Sequence, residues 1–187
     1  MLLKQSETII RISTGRVALS ALLVFIAFTA VALPWQSAQS EGYAGEAGSP
    51  DLSLYYSPDD LYQMAEAYGP VGRSTYIQAR FTFDLIWPLV YMVFLVTSLG
   101  WLSGKLIDEA SRIRAIPLLP IVGGLFDYLE NIATSVVMVR YPDTTFLAAT
   151  VAPYLTLFKW AFIASSFVSV LVLILKSSLN RFRRGKE

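Results

Sequence analysis

The sequence predicts an all-α membrane protein, a four-helix transmembrane bundle with a short amphipathic exterior helix between spans one and two. Three observations carry that prediction. The chain of 187 residues is 55% hydrophobic, too apolar for an ordinary soluble domain. Four apolar stretches (Val17 to Leu33, Phe81 to Leu102, Ile116 to Val139, Phe146 to Leu175) are each long enough to cross a hydrocarbon core of roughly 30 Å at about 1.5 Å per residue. The basic residues are also lopsided. Of the 15 Lys and Arg, eleven fall in residues 1–16, Lys105 to Arg114 and Lys176 to Lys186, and only Arg73, Arg80 and Arg140 in the other connections. By the positive-inside rule both termini are cytoplasmic, in a multi-pass protein of the bacterial inner (plasma) membrane type. The whole chain reads as a single membrane domain, with spans at about 17–35, 81–103, 116–139 and 146–176.

The first span competes with a signal peptide, since Ala30-Val31-Ala32 resembles a small-x-small cleavage site. Its apolar run exceeds the usual h-region of about 7–15 residues, and Pro34-Trp35 suits an interfacial anchor, so a retained helix is expected. Residues 36–80 then form an exterior segment that opens with a mobile loop rich in Ser, Gly, Ala and acids, Gln36 to Pro50. Ser57, Pro58, Asp59 and Asp60 predict a helix start: an N-cap, a proline at the first position and acids on the positive end of the dipole. Leu61, Met64, Ala65 and Tyr68 recur at helical spacing until Gly69-Pro70 stops the run.

A second helix is expected from about Val71 straight into the membrane. Arg73 and Arg80 are seven apart and share one face with Tyr76 or Ile77. Asp84 follows, one turn before Pro88, whose missing N–H frees the carbonyl of residue 84. Span three opens at Pro117 and Pro120 and carries Gly123, Asp127, Asn131 and Ser135 every four positions, with Glu130 and Thr134 alongside. Small residues let helices approach, and polar ones bond across the gap. Arg140-Tyr141-Pro142-Asp143 is a tight turn. Span four contributes Thr150, Tyr154, Thr156 and Lys159, with Tyr154 and Trp160 read as packing residues, and a basic tail, residues 177–187, fits an anionic cytoplasmic leaflet.

A charge at bilayer depth costs a few kcal/mol or more and demands a partner, a proton or water. Asp84, Asp127 and Glu130 face one lysine, Lys159, so a contact of Lys159 with Glu130 or Asp127 is expected. With Asn131, Arg73, Tyr76 and Arg80, these groups are the candidate ligand site, a polar cavity in the outer half of the bundle. The acid excess favours a cationic or hydroxyl-bearing amphiphile or lipid, bound or modified there.

The chain has no Cys and no His. Disulfides, thiol chemistry, Cys-ligated clusters and covalent c-type haem are excluded, and no metal or cofactor is expected. No G-x-S-x-G or H-E-x-x-H is present, and the short basic tail gives no case for nucleic acid. The layout is similar to the sterol-isomerase and sigma-2-receptor group of small four- or five-span proteins, through span number, a long exterior segment before span two and the run Ala152-Pro153-Tyr154-Leu155. That resemblance implies acids working in a membrane cavity on an amphiphile. The histidine used by some of those enzymes has no counterpart here. Two alternatives stand beside it: a non-enzymatic membrane subunit or assembly factor whose polar cluster is structural, and a proton-coupled or cation carrier. The first would use a membrane-protein partner, and the second a homodimer to supply the repeat this chain lacks.

Overall fold

The computed structural model describes residues 2–184. Every regular element among them is helical: α1 (Leu2–Ile12), α2 (Gly15–Ala44), α3 (Pro58–Ala67), α4 (Gly69–Arg80), α5 (Phe83–Leu106), α6 (Leu119–Arg140) and α7 (Phe146–Arg184). Short 3-10 segments occupy Gly45–Ala47, Pro50–Leu52 and Arg112–Leu118. Four helical segments are long and apolar enough to cross a membrane, at Gly15–Ala47, Gly69–Leu106, Arg112–Arg140 and Phe146–Arg183. Their exposure pattern fits that use. On α6, Leu125, Leu129, Ile132 and Val136 point outward while Asp127, Glu130, Asn131 and Thr134 are buried, the reverse of a helix in a soluble protein.

Several boundaries differ from the sequence expectation. The segment from Gln36 is not a loop at its start, because α2 runs through Pro34 to Ala44. One proline removes one hydrogen bond, and the Ala-, Gln- and Ser-containing stretch beyond it sustains the helix, with Ser40 Oγ donating to the Gln36 carbonyl at 3.0 Å. The second helix does not enter straight. It stops at Arg80, turns through Phe81 and Thr82, and restarts as α5 at Phe83. The third span begins later, at Leu119, after the 3-10 segment that contains Pro117. The fourth continues to Arg184, so the described part of the basic tail is helical, and Lys186 lies outside the described residues. Tyr154 is exposed rather than packed.

The helices divide into two compact units. One comprises the N-terminal residues to Phe25, Val90–Val122, and α7 from Phe162 onward. Its amphipathic α1 was not expected from sequence. It is pinned by Glu7, which takes both Arg114 Nε (2.6 Å) and Nη2 (2.7 Å), and by Ser6, which donates to the Arg114 carbonyl. The Arg114 hydrogen bond holds the partly exposed Glu7 carboxyl below its ordinary range. Gly100 and Gly104, one turn apart on α5, make room there: a Cβ on Gly100 would lie 2.5 Å from Ser13 Oγ, and one on Gly104 would lie 2.9 Å from Ile10 Cγ2.

The other unit takes Ile26–Leu89 and Gly123–Ala161. Its core gathers Tyr56, Leu61, Met64, Ala65, Tyr68 and Tyr76 against Val137, Met138, Ala149 and Ala152. The helix start at Ser57 is as expected and carries a full capping box. Ser57 Oγ accepts from the Asp60 N–H at 3.1 Å, and the Asp60 carboxylate accepts from the Ser57 N–H at 2.8 Å. These bonds hold the Asp60 carboxyl below its usual range. Gly69 supplies the positive φ of 62° at the joint between α3 and α4.

Candidate functional site

The polar stripe of α6 lies wholly inside this second unit. Glu130 is fully buried, Asn131 is 4% exposed and Asp127 is 8% exposed. On α7 the buried positions Ala152, Thr156, Lys159 and Ile163 follow helical spacing, so the lysine faces inward with its neighbours. Lys159 Nζ pairs with Glu130 Oε2 and stands 3.8 Å from Asp127 Oδ1. The expected contact is present with both acids. The other Glu130 oxygen accepts from Thr156 Oγ1 at 2.5 Å, and Thr156 Oγ1 lies 3.2 Å from the Tyr56 hydroxyl. A threonine has one proton, so when it donates to Glu130 its oxygen is left to accept from Tyr56. Burial first, and then the Glu130 charge, push the Tyr56 phenol above its ordinary value, keeping it a neutral donor.

Arg80 organises a second group. Its Nε is 2.9 Å from Asp84 Oδ2, one turn on, and its Nη1 pairs with Asp51 Oδ1. The guanidinium carbon sits 4.6 Å from the centre of the Tyr76 ring. The Tyr76 hydroxyl donates to Thr134 Oγ1 at 3.0 Å, which ties this group to the α6 stripe. Asp51, in the segment expected to lie outside the membrane, sits on a 3-10 turn that packs onto this group. Ser49 Oγ donates to Asp51 Oδ2 at 2.9 Å, Trp160 Nε1 donates to the Ser53 carbonyl at 3.1 Å, and the Tyr68 hydroxyl donates to the Gly48 carbonyl at 2.6 Å. Burial alone would push the Asp51 carboxyl up, but the charges of Arg80 and then Lys159 hold it below the usual carboxylate range. Asp51 therefore feels both cations.

Of the eight expected site residues, the structure brings seven into this region: Asp84, Asp127, Glu130, Asn131, Lys159, Tyr76 and Arg80. Arg73 goes elsewhere. Its Nη1 donates to the Ala65 carbonyl at 2.8 Å, and its guanidinium stacks 4.8 Å from the Tyr141 ring centre. Seven-residue spacing puts two side chains on one helical face but does not choose their partners, and here a carbonyl at the end of α3 is nearer. Asp51, Tyr56 and Thr156 are the additions. Two features stand out chemically. Four carboxyls (Asp51, Asp84, Asp127, Glu130) surround two cations (Arg80, Lys159), and the Asn131 carboxamide has no hydrogen-bond partner within the protein at either end. No protein family, curated protein or solved structure matches the chain.

Proposed function

We propose that this is a multi-pass protein of a bacterial inner membrane, with both termini cytoplasmic, whose acidic polar core binds the polar end of a small amphiphile or lipid. The observation that supports the reading is the excess of acid around an unsatisfied carboxamide. Four buried or nearly buried carboxyls against two cations call for added positive charge or protons. Asn131 offers a donor and an acceptor with nothing in the protein to take them, and leaving such a group buried costs about 1–3 kcal/mol. A ligand with an amine or hydroxyl end supplies both needs. The carboxyls also give the core groups that exchange a proton with the bound molecule if it is modified.

One observation favours a second reading, a purely structural lock: Glu130 already has Lys159 and Thr156 as partners, and Thr156 in turn meets Tyr56. The two readings divide between Glu130 and Asp127. The test compares Glu130→Gln with Asp127→Asn in detergent, following thermal melting and, by mass spectrometry, any lipid-like molecule that copurifies. The binding reading expects Asp127→Asn to melt like the wild type and to lose the copurifying molecule. If both variants unfold and the wild type carries no such molecule, the cluster is a lock.

A further inference from the structure

A groove of about 420 Å³ runs beside α2 and α4, lined by Trp35, Gln36, Gln39, Thr75, Gln78 and Thr82. We infer that it is a second binding site, separate from the acidic core, for a neutral, hydroxyl-rich group of the glycosyl class. None of these lining side chains is ionisable, so the groove offers an anion no cation and a cation no carboxylate. It offers three carboxamides, each able to donate and accept. Thr75, within α4, and Thr82, in the turn after it, direct their protons to α4 carbonyls, those of Val71 at 3.1 Å and Gln78 at 2.7 Å, which leaves their oxygens as acceptors.

Gln36 gives the independent sign that something is to be bound. It is 7% exposed, and its Nε2 has no hydrogen-bond partner. A buried donor of that kind is satisfied by an acceptor entering the groove. Trp35 is exposed beside it, an apolar plate with a polar edge suited to the C–H face of a sugar ring. It follows the end of the first apolar stretch at Leu33, the level where Trp meets lipid headgroups. Alternating donors and acceptors under an aromatic plate are the complement of a pyranose, and the setting allows that pyranose to come from a glycolipid or from free sugar.

The experiment reconstitutes the full chain in phosphatidylcholine nanodiscs containing monoglucosyl diacylglycerol, then releases it into a polyoxyethylene detergent and counts retained lipids by native mass spectrometry. Wild type should retain the glucolipid in preference to phosphatidylcholine. Gln36→Leu and Gln78→Ala should each reduce that preference by about five-fold, the worth of one hydrogen bond. Gln36→Leu replaces an unpartnered amide by an apolar group of similar size and should fold. If its melting curve departs from wild type, Gln78→Ala, at an exposed position, decides. Excess free glucose that displaces the lipid shows that the sugar alone is read, and failure to displace shows that the acyl chains are needed too. Equal retention of both lipids by wild type, or an undiminished preference in normally melting variants, overturns the assignment.

Discussion

Asp51, on a 3-10 turn before α3, is an ion-pair partner of Arg80 at the end of α4. The pair ties a connecting segment to the polar interior. It also makes the segment between α2 and α3 part of the candidate site rather than a tether. Removing one member of a buried pair leaves the other without its full complement and costs about 3–5 kcal/mol when no other partner remains. Arg80 keeps Asp84, and the Asp51 side chain is 20% exposed. Asp51→Asn should therefore cost less, about 1–3 kcal/mol, measured as a lower melting temperature in detergent.

The same pair sets a dependence on acidity. The Asp51 carboxyl is held below its unfolded value, so its contribution is complete above about pH 4 and disappears as the pH falls through the depressed value. Between pH 5 and 7 the melting difference between wild type and Asp51→Asn should stay constant. Below about pH 4 the two curves should converge. A gap that persists into strong acid would mean that Asp51 acts by shape rather than charge.

Glu130 and Lys159 should behave as one unit. Lys159→Met leaves Glu130 buried with only Thr156, and Glu130→Gln leaves the ammonium with Asp127 at 3.8 Å. Each single change should destabilise, while the double change removes both charges together. A double-mutant cycle by thermal or chemical denaturation should show a coupling of about 1.5–3 kcal/mol. Additive losses would contradict the geometry.

Glycine substitutions give a test of opposite signs. Gly100→Ala places a methyl 2.5 Å from Ser13 Oγ and 2.8 Å from Ser13 Cβ, and should destabilise by about 1–3 kcal/mol. Gly42, within α2, has nothing within 4 Å of the same construction, and Gly42→Ala should stabilise by about 0.5–1 kcal/mol. A Gly100→Ala variant that melts at or above the wild-type temperature would contradict the close approach at Gly100, and a destabilised Gly42→Ala would contradict the open space at Gly42.

The long helices were legible because apolar length is a property of consecutive residues, and the inward stripe of α6 because its period is four. The meeting of Lys159 with Glu130 and Asp127 was legible for an energetic reason: an isolated charge there is too costly to leave alone. Asp51 and Tyr56 were not, because they lie in a stretch with no period and find partners in α4 and α7. The break after Arg80 was hidden too. Phe81 and Thr82 carry no strong stop signal, and the turn becomes visible only where Thr82 N–H reaches back to Ala79 at 3.3 Å. The helix past Pro34 was missed because a stretch rich in Ser, Gly, Ala and acids reads as a loop, although it continues α2 to Ala44.

That break has an electrostatic consequence. Arg80 stands in the last turn of α4 and Asp84 in the first turn of α5. A helix carries a fractional negative charge at its carboxyl end and a fractional positive charge at its amino end, and each side chain here sits at the end of opposite sign. In an uninterrupted helix the same two residues would lie mid-span and feel neither terminus. The interruption thus turns the backbone itself into a fixed counter-charge, one that does not titrate and cannot diffuse away. The Arg80–Asp84 pair is flanked by peptide dipoles that complement both of its charges.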